Sequence, residues 1–227
     1  MGCGASVPEV DLATVDGGMT TSVPGLMAGV TTGRTGYFMK EKFFSWSGDD
    51  YDIKDSAGNI AIKVAGKALS MRDMMVLKDA NGNKVAMLQK KILAVRKTFQ
   101  LYTYQPNFEG QESTETEGGT PVYRYAHIED VILSALGEAH LKKYETSNDE
   151  AALVPYLTGK VQLSFKFKVR VHKYGDPLAT VANIGQSSFF QWEGANSYVI
   201  DCCAGIDSIA LIAFAIALEK IKEEKKQ

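Results

Sequence analysis

From Ile206 to Ile221 the chain reads IDSIALIAFAIALEKI, with no charged residue between Ser208 and Leu218. A helix that is apolar all round has to be enclosed all round. A bilayer span takes about 20 apolar residues, and the upstream extension that would supply them carries Asp201 and Asp207. Each of these would cost roughly 2.5 to 3.5 kcal/mol in mid-membrane. Nearly everything before the run reads as short strands and turns, so sheet is the container favoured over lipid. The expected fold is mainly β: a closed antiparallel barrel wrapped around one hydrophobic C-terminal helix at about residues 206–221.

The strand pattern supports this. Between Tyr37 and Tyr104, β-like runs alternate with turn signals, and Gly58-Asn59 and Asn81-Gly82 sit where tight hairpins need residues that tolerate positive φ. The units DSAGNIAIKV and DANGNKVAML repeat one spacing, an Asp, a Gly-Asn pair and then an apolar strand. Asn107 to Pro121 carries four glutamates and, apart from Phe108, no large apolar side chain, which predicts an extended surface loop or a mobile insertion. Within Tyr123 to Tyr144, VILSALGEAHLKKY fits either a helix or two strands broken at Gly137, and strands are favoured. Val161 to Lys173 is read as one strand, with Val161, Leu163, Phe165, Phe167, Val169 and Val171 facing the core and Lys166, Lys168, Arg170 and His172 on a basic outer face. After a turn at Gly175-Asp176-Pro177, a strand pair is expected over about Leu178 to Trp192, and Tyr198 to Cys203 leads into the helix. The domain plan is a tether over residues 1–36, a barrel over 37–221 and a charged tail over 222–227.

A chain of 227 residues suits one barrel domain, and a net charge of -2 gives no global attraction to nucleic acid. The three cysteines, Cys3, Cys202 and Cys203, make no framework of spaced pairs, which fits an intracellular, reducing location. The start, Met-Gly-Cys-Gly-Ala-Ser, matches the N-myristoylation pattern with Gly2 as acceptor, and Cys3 beside it is a palmitoylation candidate. One myristoyl chain binds membranes marginally and two acyl chains hold stably, so the pair predicts residence on the cytoplasmic face of a membrane.

The segments FFSWSGDDYDIKDSAGNIAIKVAG, MRDMMVLKDANGNKVAMLQKK and YVIDCCAGIDSIALIAFAIALEKI together resemble the LURP-one-related proteins of the tubby C-terminal-like superfold, to which phospholipid scramblases are also similar. The likeness covers about Tyr37 to Ile221. It implies a barrel of about twelve antiparallel strands around the central helix. Tubby proteins bind phosphoinositide headgroups and scramblases are acylated membrane proteins, so the resemblance implies a role at membranes. It carries over no binding residue.

Candidates for lipid headgroup contact therefore come from the residues themselves. Lys166, Lys168 and Arg170 form a row of cations about 7 Å apart on a strand, and Lys90, Lys91, Arg96 and Lys97 surround the apolar ILAV. Basic residues near an anionic leaflet contribute about 1 kcal/mol each, enough to orient an anchored barrel. For both clusters, plain solvation is the competing explanation. Asn196, Asp201 and Asp207 are too few oxygen ligands for calcium, and Asp207 is read as a helix cap. Cys202 and Cys203 could serve as an acylation site, a thiolate pair or core filler, and their place between an apolar strand and a buried helix favours filler. No catalytic motif and no spaced metal set occurs, so no enzyme activity, cofactor or metal is expected. The expected partners are membrane lipids of the cytoplasmic leaflet, including phosphoinositides, with protein partners unspecified. A scramblase-like lipid transporter and a structural component of a larger assembly are the alternatives.

Overall fold

The structure is a computed structural model that describes residues 35–40, 51–55, 57–67, 74–92, 94, 96–131, 137–161, 168–187, 197–203 and 205–224. Among these the strands are β1 (Thr35–Lys40), β2 (Tyr51–Asp55), β3 (Ile60–Lys67), β4 (Met74–Lys78), β5 (Lys84–Lys90), β6 (Thr98–Thr103), β7 (Glu115–Glu117), β8 (Thr120–Asp130), β9 (Glu138–Lys143), β10 (Val154–Val161), β11 (Lys168–Lys173), β12 (Thr180–Ser187) and β13 (Ser197–Cys202). One helix follows, α1 (Ser208–Glu224).

Two five-residue turns show how neighbouring strands are joined. Asp55 and Asp79 each accept the backbone N–H of the asparagine four residues on, Asn59 at 2.9 Å and Asn83 at 2.8 Å, and each also takes that asparagine's side-chain amide. Gly58 and Gly82 sit at φ 85° and 90°, where a Cβ would be strained. At Asp79, desolvation works to raise the carboxyl pKa, but the hydrogen bonds from Asn83, Asn81 and Gly82 outweigh it and hold the group below its ordinary 3.8. The unfolded chain then binds more protons than the folded one below about pH 4, so this stabilisation is lost as pH falls through the folded-state pKa. Asp79→Asn should flatten the acid limb of a urea-midpoint profile below about pH 4; an unchanged limb would show that Asp79 contributes nothing there.

The strands pair antiparallel in chain order, β1 with β2 through to β5 with β6, then β6 with β8, and β8 through to β13. Thr35↔Cys202 through Lys40↔Ser197 join β1 to β13 and shut the ring at twelve strands. The remaining strand, β7, is a short outer flap hairpinned onto β8. Closure removes the edges that would otherwise invite pairing with other chains. It also makes an interior that something must fill. That filler is α1: every residue from Ile206 to Ile221 is buried, with Ile209, Leu211, Ile212 and Phe214 at 0% exposure. The strands supply the facing layer, including Ile53, Ile62, Leu88, Leu101, Ile128, Leu141, Val171 and Ile200. No helix among the described residues is long and apolar enough to cross a membrane.

Three expectations need correction. Val161 pairs with Val169 across the β10–β11 hairpin, so Val161 to Lys173 is two strands with a reversal, not one. A single strand of that length would run about 44 Å, whereas the 17-residue helix it must flank is about 26 Å long. The chain turns back within that limit even though no Gly or Pro marks the place. The strand pair expected over Leu178 to Trp192 contributes one described strand, β12, whose partner is β13. Asn107 to Pro121 is not a plain solvated loop. Glu117 is 3% exposed and pairs with Lys84, and Gln111 is 7% exposed, donating to Arg124 O at 2.8 Å and to Asn148 Oδ1 at 2.9 Å. Beneath this excursion Met87, Tyr102 and Val122 form a small apolar cluster on the outside of the barrel. Two of its four glutamates have partners, Glu115 with Tyr102 and Glu117 with Lys84 and Tyr104, while Glu109 and Glu112 are exposed, so composition overstated the solvation of half of them.

Candidate functional site

The antiparallel order fixes where the basic residues lie. The helix enters the barrel after β13 and runs back along it, and Tyr198 on β13 donates its O–H to Glu219 near the helix end at 3.0 Å. The turns after β5 and β10 fall on that same rim. Both predicted basic clusters therefore sit on one rim, four strand steps apart around the twelve-strand ring. The structure keeps them apart laterally and unites them in height.

On the β10–β11 side, Arg170 is half-buried and its Nε lies buried without a protein partner. Lys160 stands directly across from it on β10, a cation that the reading of one continuous strand could not place. Lys168 begins β11, and Lys166 lies outside the described residues, as do Gly2 and Cys3. His172 is 7% exposed, and its Nδ1 is 3.4 Å from Thr180 Oγ1. Burial, with Arg170 and Lys160 nearby, pushes its pKa down. His172 is thus a packed residue and drops out of the basic row.

The β5–β6 side has more shape. Lys90 ends β5, Lys91 follows, Arg96 is exposed, and Lys97 is half-buried with its carbonyl accepting Asp130 N–H at 3.0 Å. Below Lys90 and Lys91 the outer wall opens into a cleft of about 410 Å³, within the range of small-ligand sites. Its floor follows one rung of the sheet, where Gln89 faces Gln100 and Gln100 faces His127. Gln100 donates to Ala126 O at 2.8 Å and accepts Tyr144 O–H at 3.3 Å, which fixes its amide. Lys90, Lys91, Ile92, Tyr102, Glu115 and Arg124 complete the lining. Tyr102 donates to Glu115 Oε1 at 2.6 Å, and burial, reinforced by Glu115, raises the phenol's pKa. Ile92 stands at the lip with 55% of its surface exposed.

The connection from Tyr144 to Leu153 borders the cleft. Its single 3-10 turn, Glu150–Ala152, is capped by Asp149, which accepts Ala151 N–H at 2.9 Å. Arg124 Nη1 donates to Asn148 O at 3.1 Å, while Arg124 Nε is buried without a protein partner. Lys91 Nζ meets Glu150 Oε1 at 2.5 Å, and this hydrogen bond holds the Glu150 carboxyl below its ordinary pKa. His127, at 7% exposure, has its pKa lowered by burial against the pull of Glu129 and Glu150. The site thus offers cations and amides beside two carboxylates, Glu115 in the lining and Glu150 on Lys91, on the outside of the barrel wall.

A second polar cluster lies inside, at the helix start. Asp207 caps α1 as its sequence position predicts, accepting Ala210 N–H at 3.0 Å. Its other oxygen takes Lys143 Nζ at 2.9 Å and the Tyr125 hydroxyl, while Tyr37 donates to Ser208 Oγ at 3.0 Å. Lys143 is 3% exposed and lies over the rings of Tyr125 and Tyr156, 4.6 and 4.4 Å from their centroids. Burial pushes the Asp207 pKa up and the Lys143 pKa down. Cys202 and Cys203 are buried beside this cluster, as core residues. Sequence reading missed Lys143 and Arg124. For Lys143 the signal was present, because period two puts it on the face of Ala139 and Leu141.

A family model described as LURP-one-related matches residues 35–219 of this chain. No curated protein matches it in sequence. The fold is similar to the X-ray structure of an Arabidopsis thaliana protein, with a TM-score of 0.54 at 14% identity, over 91% of this chain and 99% of that one.

Proposed function

The chain belongs to the LURP-one-related family, and we propose that it is a non-enzymatic, lipid-anchored barrel that works on the cytoplasmic face of a membrane by binding anionic lipid headgroups, phosphoinositides among them, as a signalling or interaction module. The observation that carries this reading is the cleft, where Lys90, Lys91 and Arg124 converge beside an exposed Ile92. Cations that meet a headgroup and an apolar side chain that enters the interface are what a membrane-facing surface combines. Lys168, Arg170 and Lys160 lie on the same rim and add attraction without shape. Gly2, with or without Cys3, supplies the anchor in this reading, because a few surface cations orient a barrel better than they recruit it.

Two measurements test this. Binding to phosphatidylcholine vesicles containing phosphatidylserine or phosphatidylinositol 4-phosphate should weaken about thirtyfold or more when Lys90 and Lys91 are both changed to Glu, at roughly 1 kcal/mol for each cation lost. Binding that is equal in wild type and variant would remove the cleft from the membrane contact. In cells, Gly2→Ala should move the protein from membrane to soluble fractions, and unchanged fractionation would refute the anchor.

A further inference from the structure

The cleft mixes groups that a plain anionic surface would not need. Lys90, Lys91 and Arg124 favour negative charge, yet Glu115 lines the same space with Tyr102 bonded to it, next to the amides of Gln89 and Gln100. A carboxylate repels a bare anion but accepts readily from hydroxyl groups, and a primary amide can both donate and accept. The ligand that satisfies both ends carries an anion at one and hydroxyls at the other. The anion is better a phosphate than a carboxylate, because three terminal oxygens can engage two ammonium groups and a guanidinium edge together.

Lys91 already holds an anion. Glu150 Oε1 lies 2.5 Å from its Nζ, and both side chains are partly open, at 36% and 44% exposure. An ion pair this exposed is weak. Glu150 can also leave without unseating its turn, which is fastened separately by the Asp149 cap, by Asn148 Nδ2 donating to Glu112 O at 2.9 Å and by Arg124 Nη1 on Asn148 O. Arg124, whose Nη1 is given to Asn148 O, lines the same space and adds its charge at the anion's end. Resting on the anion-site reading above, we propose that the cleft binds a phosphate monoester bearing neighbouring hydroxyls, its phosphate toward Lys91 and Arg124 and its hydroxyls toward Glu115 and the glutamine amides, and that Glu150 is the resident anion this ligand displaces.

Such a phosphate ester belongs either to a lipid headgroup or to a free polyol phosphate, and calorimetry with myo-inositol 1-phosphate, inorganic phosphate and myo-inositol separates the contributions. The monoester should bind at least about tenfold more tightly than inorganic phosphate, Lys91→Met should weaken it about tenfold, and Glu150→Gln should tighten it about threefold, the scale of gaining or losing charge-assisted hydrogen bonds and an exposed competitor. Glu115→Gln should narrow the preference over inorganic phosphate while circular dichroism stays native. If the monoester and inorganic phosphate bind equally, or Glu150→Gln leaves affinity unchanged, the proposal is overturned. Vesicle binding that persists in that case, following total surface charge alone, would leave the membrane reading standing. Tight binding of the soluble ester with no response to vesicles carrying phosphatidylinositol 4-phosphate would do the reverse, identifying a free polyol phosphate as the ligand.

Discussion

Lys143→Met is expected to destabilise the protein by about 3–5 kcal/mol, the usual penalty for stranding one member of a buried ion pair. Asp207 is fully buried, and Lys143 Nζ at 2.9 Å is its nearest compensating charge. The carboxylate cannot turn toward water, because Oδ1 is committed to the Ala210 N–H at the helix cap and Oδ2 also takes the Tyr125 hydroxyl. Removing the ammonium leaves a buried anion that must be protonated or stay unpaired, and either route costs free energy. Asp207→Asn strands the ammonium between two tyrosine rings and should cost a similar amount. The double variant, Lys143→Met with Asp207→Asn, should lose much less than the sum of the two, because no buried charge then remains unpaired. Urea unfolding of the four proteins measures the coupling. Additivity within about 0.5 kcal/mol would mean that the two groups do not form one electrostatic unit.

The same pair shows what a sequence exposes and what it conceals. The rod from Ile206 to Ile221 was legible because an uncharged helical run has few possible containers, and Asp207 was legible as a cap because capping is local. The D-x-x-G-N turns were legible for the same reason, since each closes on its own carboxylate. Lys143 was harder: a lysine beside another lysine reads as surface, and only the alternation with Ala139 and Leu141 pointed inward. The break between Val161 and Val169 had no local mark at all. VQLSFKFKV satisfies one long strand as well as a hairpin, and pairing with β9 and β12 decides between them. Of the cleft, Lys90 and Lys91 were found because they are adjacent in the chain. Arg124, Glu115 and Glu150 were not, since β7, β8 and the Tyr144–Leu153 connection bring them there from separate places. Residues assembled by tertiary structure leave no spacing to read.

The second large effect lies where the wall meets the rod. Phe214→Ala should cost about 3–5 kcal/mol, the range for deleting a buried aromatic ring from a packed core. The ring is 0% exposed and rests against β10 at Gly159. A Cβ placed on Gly159 would come within 3.0 Å of Phe214 Cε1 and Cζ and within 3.2 Å of Leu218 Cδ1. Glycine inside a strand normally weakens it and marks a close approach, and Gly159 has no positive φ to account for its presence. Its role is therefore steric: it is the dent in the wall that receives the ring. Gly159→Val in the wild-type background should cost about 1–3 kcal/mol by overpacking. In the Phe214→Ala background the same valine fills part of the void and restores strand propensity, so its sign should reverse and stability should rise. Unfolding midpoints of the two single variants and the double decide the matter. If Gly159→Val destabilises both backgrounds equally, the ring and the glycine are not packed on each other, and the helix sits in the barrel at a different depth or rotation from the one described.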